Sequence, residues 1–159
     1  YFGDPVLKTA CAPVTRFDAS AHTLVRDLLD TVDQPGRAGL AAPQIGVGLR
    51  VFSYRAGKRL GYVINPELVE LSADEHELSE GCLSVPELWF PVLRAKHAVV
   101  RGVDLRGEPV TVSGDGELAQ CLQHETDHLD GRLYLDRLRP DRRKQAFRQT
   151  RESSWFWRR

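Results

Sequence analysis

Val51-Phe52-Ser53-Tyr54, Gly61-Tyr62-Val63-Ile64 and Ala98-Val99-Val100, running on to Val103, are short runs rich in β-branched and aromatic residues. Gly, Pro and Asn punctuate them, as at Asn65-Pro66 and Arg106-Gly107, which is how an antiparallel sheet reads. This strand-like block extends from Val51 to Val112, with helical patterns on both sides of it. Upstream, Leu24, Val25, Leu28, Leu29 and Val32 recur at helical spacing. Asp18 or Ser20 is placed to cap that helix, and Pro35-Gly36 to end it near Gln34. Downstream, Asp115 is placed to start a second helix, with Leu118, Cys121, Leu122 and Leu129 along one side and Gly131 at its C-terminal end. A third, basic helix is expected from Pro140, a residue favoured in a first helical turn. Helices interrupted by a block of strands make the chain α+β.

The 159 residues suffice for one ordinary domain, 1–159, in which 140–159 form a basic C-terminal helix or tail. A composition of 42% hydrophobic and 28% charged residues excludes a disordered chain. No apolar run approaches the length of a membrane span, and no secretory signal is visible at the start. The chain begins at Tyr1 and has no Met, so the natural start codon is expected upstream and a targeting segment stays open. Three cysteines, Cys11, Cys82 and Cys121, are an odd number in a chain too large to need staples. They argue for a reducing compartment. Residues 137–159 carry nine Lys or Arg and two acids, whereas the first 136 carry thirteen basic and twenty acidic side chains. The tail suits a polyanionic partner; the body shows no nucleic-acid stripe, and DNA binding is not expected.

Gln123-His124-Glu125-Thr126-Asp127-His128 on the second helix is an H-E-x-x-H pattern. Positions four apart share one helix face, so both imidazoles can reach one cation. Glu125 can sit over the same site without coordinating and take a proton from water held there. The plain alternative is a surface helix with two histidines so spaced by chance. The third ligand decides the class. One group of zinc endopeptidases continues to G-x-x-H, but after Gly131 this chain has Tyr134 in place of the final His. The only Glu downstream is Glu152, inside the basic tail.

Cys82, in Glu80-Gly81-Cys82-Leu83-Ser84, is the best upstream candidate, the alternative for any single Cys being a small buried hydrophobe. Two imidazoles with one thiolate leave a position open for water. Cys11 and Cys121 read as small buried hydrophobes, Cys121 packing beneath the site. Gly39-Leu40-Ala41-Ala42-Pro43-Gln44-Ile45-Gly46 supplies small residues for close backbone approach and an amide, Gln44, able to donate a hydrogen bond.

Together these segments resemble the three signature motifs of peptide deformylases: a Gly-x-Gly-Leu-Ala-Ala-x-Gln loop, a Glu-Gly-Cys-Leu-Ser loop and Gln-His-Glu-x-Asp-His-Leu-x-Gly on a helix. They stand in the family's order, and the resemblance runs from Phe2-Gly3-Asp4-Pro5-Val6-Leu7 to about Leu138. One departure stands out. Where the first motif opens with Gly, this chain has Arg37, with Gly36 beside it; a positive backbone angle there would strain an arginine. Trp89 and Phe90 are also bulkier than expected, and either shape the groove entrance or pack.

The resemblance implies antiparallel sheets packed around a central metal-binding helix, with an N-terminal helix and a basic C-terminal one. It implies a metal-dependent hydrolase that removes the N-formyl group from the formyl-methionine of nascent polypeptides, a step of N-terminal processing in protein biosynthesis. One divalent metal per chain, natively Fe(II) and replaceable by Zn, Ni or Co, is implied on Cys82, His124 and His128. Water on that metal would attack the formyl carbon, Glu125 acting as base and then acid. Gln44 and the backbone N–H of Leu83 would hold the oxyanion. Gly39, Leu40, Gly81, Leu118, Cys121 and the aliphatic face of His124 are the candidate substrate contacts. The peptide would add as an extended strand between the first two motifs. Arg94 and Asp127 are the candidate ion pair holding the metal helix.

Formylated translation places such an enzyme in a bacterial-type cytoplasm, with plastids and mitochondria left open. Lys144, Arg148 and Arg151 recur on one face of the third helix, which by resemblance docks on ribosomal RNA; a solvated face is the alternative. Trp155-Phe156-Trp157 either pin the tail or meet a partner. Two other classes remain at this point, an H-E-x-x-H endopeptidase and an inactive relative that only binds.

Overall fold

The computed structural model of the chain describes residues 1–158, so Arg159 at the end of the expected tail lies outside the described residues. The fold is α+β. Strands β1 (Gly39–Ala41), β2 (Val51–Ala56), β3 (Arg59–Leu71), β6 (His97–Val103) and β7 (Pro109–Asp115) form one sheet in the order β1-β2-β3-β6-β7. Every neighbouring pair in it is antiparallel. Strands β4 (Glu75–Cys82) and β5 (Val85–Ala95) form a separate hairpin.

Helix α1 (Ala19–Val32) starts at Asp18, whose carboxylate accepts from the N–H groups of Ser20 and Ala21. Helix α2 (Gly116–Leu129) starts after Asp115, and Gly131 follows it in the left-handed conformation, φ 73°. Helix α3 (Pro140–Glu152) has its proline in the first turn, and a short α4 (Ser154–Trp157) follows.

Alternate residues of the central strands feed two cores. Phe52, Val63, Val100 and Val112 pack with Ala119, Cys121, Leu122 and Leu129 of α2. Val51, Ile64 and Leu40 pack with Leu24, Val25 and Leu28 of α1. Both faces of β2 are covered, which is why Val51-Phe52-Ser53-Tyr54 shows no alternation of polarity. A third core lies under α3, where Val85, Phe90 and Val92 of β5 meet Leu7, Tyr134 and Ala146.

Asn65-Pro66, expected as a strand boundary, lies inside the 13 residues of β3. It is a bulge: the register shifts between Ile64 and Glu67, and Asn65 has φ 51°. The side chain of Asn65 explains the exception. Its Oδ1 accepts from the Val14 N–H at 2.8 Å and its Nδ2 donates to the Val14 carbonyl at 3.0 Å, replacing ladder partners that the bulge removes.

The chain's end is tied to its beginning. Phe147 lies 5.8 Å from Phe2, Phe156 6.3 Å from Phe2 and Trp155 5.9 Å from Tyr1, ring centre to ring centre. Trp155 and Phe156 therefore pin the tail, while Trp157 is exposed. Among the described residues no helix is long and apolar enough to cross a membrane.

Candidate metal centre

Helix α2 is enclosed by β6, β7, β1, β2 and the hairpin, and every residue from Cys121 to Leu129 is buried. A buried polar side chain needs a partner, so the helix's polar residues can be accounted for one by one. Gln123 accepts from the Ala95 N–H and donates to the Ala95 and Ala119 carbonyls, at 2.9–3.0 Å. Thr126 donates to the Leu122 carbonyl at 2.8 Å. Asp127 accepts from Arg94 at 2.7 Å and from two nitrogens of Arg137 at 3.1 and 2.7 Å. His124 Nδ1 lies 2.5 Å from Glu80 Oε1, and both Glu80 oxygens also accept from Arg94, at 3.0 and 2.6 Å. Among the described residues, two buried atoms of α2 have no partner: Oε2 of Glu125 and Nδ1 of His128.

The Glu80 contact fixes a proton on His124 Nδ1 and turns the lone pair of Nε2 away from it. That Nε2 faces Nε2 of His128 at 3.2 Å, and Cys82 Sγ lies 3.3 Å from the same His128 atom. The ligand atoms of Cys82, His124 and His128 all lie within 4.8 Å of one another. Bonds of about 2.0–2.1 Å to nitrogen and 2.3 Å to sulfur set tetrahedral ligand edges of roughly 3.3–3.6 Å. The separations of 3.2 and 3.3 Å from His128 to the other two ligand atoms are close to such edges. Burial holds His128 below its usual pKa and so keeps it a neutral donor, whereas on His124 burial is outweighed by the hydrogen bonds to Cys82 and Glu80, which hold a proton that a bound cation would displace from Nε2.

The hairpin delivers Cys82. Glu80 and Cys82 stand two residues apart on β4 and so share the face that meets α2, and the register shifts between them at Gly81. Burial would raise the Glu80 carboxyl, but hydrogen bonds from His124 and Arg94 outweigh it and hold it at about 2. Burial lifts Glu125 to about 7 against the pull of His124. A carboxyl near neutrality can both take and give a proton.

A cleft of about 860 Å³ opens onto this centre. Gly39, Gln44, Gly81, Leu83, Cys121 and Glu125 line it. Gln44 is held by the Ala41 N–H, which donates to its Oε1 at 2.9 Å, and its Nε2 lies 3.6 Å from Cys82 Sγ and 3.2 Å from Ser84 Oγ. A side chain at Gly39 would strike the Glu125 carboxylate and Cys121 Sγ, so glycine lets β1 pass directly over that carboxylate.

Leu40 and Leu118, expected as substrate contacts, do not line the cleft. Neighbours on a strand point to opposite faces, so with Gly39 toward the cleft Leu40 enters the α1 core. Leu118 packs over Gly114 of β7 instead. Arg37 is unstrained, because the left-handed residue is Gly36, φ 79°. Trp89 and Phe90 divide their roles: the Trp89 indole covers Gly81 on the cleft wall, 65% exposed, while Phe90 is core.

The pairing of Arg94 with Asp127 is present, but the network around it is larger. Glu80 and Arg137 carry as much of it, and sequence reasoning assigned them nothing. Glu80 had a signal: an acid two residues before a ligand cysteine, on a strand bound for the core, needs a cation. Removing Arg94 takes from two buried carboxylates the cation they share, leaving Glu80 with His124 and Asp127 with Arg137. Arg94→Ala is expected to cost about 3–5 kcal/mol in stability, read as a lower denaturation midpoint. A loss under about 1 kcal/mol would mean that the carboxylates find other partners.

The comparisons agree with this geometry. Residues 1–144 match the family model for polypeptide deformylase. The chain belongs to the polypeptide deformylase family. It is 51% identical over 154 residues to a peptide deformylase of Acidothermus cellulolyticus, covering 97% of this chain and 85% of that one. The crystal structure of a deformylase from Legionella pneumophila superposes with a TM-score of 0.88 at 41% identity, covering 96% of this chain and 91% of that one. A deformylase from Synechococcus elongatus, solved with actinonin, superposes with a TM-score of 0.87 at 32% identity, covering 99% and 87%. As a deformylase the chain is an enzyme, of a metal-dependent family that removes the N-formyl group from nascent polypeptides. The endopeptidase and the inactive binder are set aside.

Proposed function

We propose that this chain removes formyl from N-formylmethionyl peptides at the Cys82–His124–His128 cluster, with Glu125 as the proton carrier. The convergence of these three ligand atoms beside a buried, unpartnered carboxylate supports the reading most directly. One divalent cation per chain, Fe(II) natively with Zn, Ni or Co as substitutes, would supply a Lewis acid and lower the pKa of water. The protein's own residues do the rest. Glu125 takes the proton of the attacking water at its free Oε2 and returns it to the departing amine, leaving formate and a free N-terminus. Gln44 Nε2 and the Leu83 N–H donate to the oxyanion.

Substrate binding follows from the sheet. Strand β1 is an edge, and Ala38 accepts from the Arg55 N–H at 2.8 Å. Alternation then turns the N–H and C=O of Gly39 away from β2, toward the cleft. An extended peptide can add there, between Gly39 and Gly81, with Cys121 and the ring of His124 facing the methionine side chain. Backbone pairing reads little sequence, which suits an enzyme that meets most of a bacterial-type cytoplasm's new chains. The exposed Lys144, Arg148 and Arg151 of α3 support electrostatic docking on ribosomal RNA within the same reading. Co-sedimentation with ribosomes that persists in high salt would remove that part.

Mass analysis of a formylated tripeptide incubated with the metal-loaded protein tests the reaction. Loss of formyl with every peptide bond intact is expected; internal cleavage would contradict it. Gln44→Leu is expected to keep its metal and lose about 10²–10³ in kcat, the usual cost of one oxyanion donor. An unchanged kcat would take Gln44 out of the mechanism.

A further inference from the structure

The first motif departs from the family pattern at a residue that lines the cleft. Arg37 stands where the family has glycine, and its Nη1 donates to the Thr31 carbonyl at 2.5 Å. That bond anchors the guanidinium without neutralising it. Among the described residues Arg37 makes no ion pair. Arg55 of β2 lines the same side of the cleft, and its only acidic partner among the described residues, Asp33, lies 3.6 Å away.

The site has a direction. Gln44 lies near Cys82, at the end where the formyl group reacts, and Gly39 lies against Glu125. A peptide leaving the reaction centre along this wall passes Gly39, then Ala38, then Arg37. At about 3.3 Å per residue, Arg37 stands level with the second or third residue of the substrate. Four acids also line the cleft, but Glu80 and Glu125 are buried at the reaction centre, and Glu87 of β5 and Glu117 of α2 come from other elements than residues 37 and 55. The groove therefore has a cationic side along residues 37 and 55.

Resting on the deformylase reading above, we propose that Arg37, reinforced by Arg55, is a specificity-determining residue that favours formyl peptides with Asp or Glu at the second or third position. Its charge stands at the rim and is screened by salt, so it tunes selectivity and not the chemical step.

The test compares kcat/KM of the metal-loaded enzyme for formyl-Met-Ala-Glu and formyl-Met-Ala-Lys, and for formyl-Met-Glu-Ala and formyl-Met-Lys-Ala. The acidic peptide of at least one pair is expected to lead by about fivefold at low salt, narrowing at about 0.5 M NaCl. In Arg37→Gly that ratio is expected to fall toward one, and in Arg37→Lys to persist. A ratio of one in both pairs, or an unchanged ratio in Arg37→Gly, overturns the proposal. Neutral formyl-Met-Ala-Ala separates the two readings. Its turnover without any charge preference overturns the role of Arg37 alone, and its failure to turn over overturns both.

Discussion

Glu125→Gln is expected to fold, retain its metal and lose at least about 10²–10⁴ in kcat, the usual range for a positioned acid–base group. Oε2 of Glu125 has no partner among the described residues, although its neighbours on α2 nearly all do. An unpaired buried carboxylate oxygen is costly, and nothing in the packing requires it. The metal cluster stands beside it and the cleft opens on it. The amide keeps the shape of the side chain but replaces an acceptor oxygen with a donor group, carries no charge and cannot take up or return the proton. Metal analysis, a melting curve and steady-state kinetics on one preparation separate the possibilities. If kcat fell less than about tenfold with metal retained, the proton carrier would lie elsewhere.

The second large effect is on the metal itself. Cys82→Ala is expected to lower metal affinity by more than about 10²-fold, beyond the 10–100-fold that loss of an outer partner of a ligand costs. Cys82 would supply the sulfur ligand, and it comes from a different element than the two imidazoles. Without it the two histidines, one turn apart, hold a cation from one side only. Metal content after dialysis against a weak chelator reads this directly. Stoichiometric metal in Cys82→Ala would remove Cys82 from the ligand set.

Local chemistry made much of this legible in the sequence. Two imidazoles four residues apart share a helix face wherever the helix lies, so His124 and His128 needed no tertiary knowledge. Gly131, Asp18 and Pro140 marked helix ends because each satisfies a local backbone requirement. The choice of Cys82 came by elimination and by motif. What escaped depends on contacts distant in sequence. The ion network joins β4, β5, α2 and the turn after α2, and no spacing rule links Glu80 to Arg137. The fate of Leu40 turned on which face of a three-residue strand met the cleft. Apolarity alone made it equally fit for core or pocket. The bulge at Asn65 read as a boundary because its compensation, the pairing with Val14, is 51 residues away.

If deformylation runs at the Cys82–His124–His128 cluster on one divalent cation per chain, metal occupancy sets the rate. The direct measurement is formate release from formyl-Met-Ala-Ser by chelator-stripped protein titrated anaerobically with Fe(II). The account predicts no release without metal and a linear rise that stops at one equivalent. Full release from the metal-free protein, or a rise unrelated to stoichiometry, would contradict it.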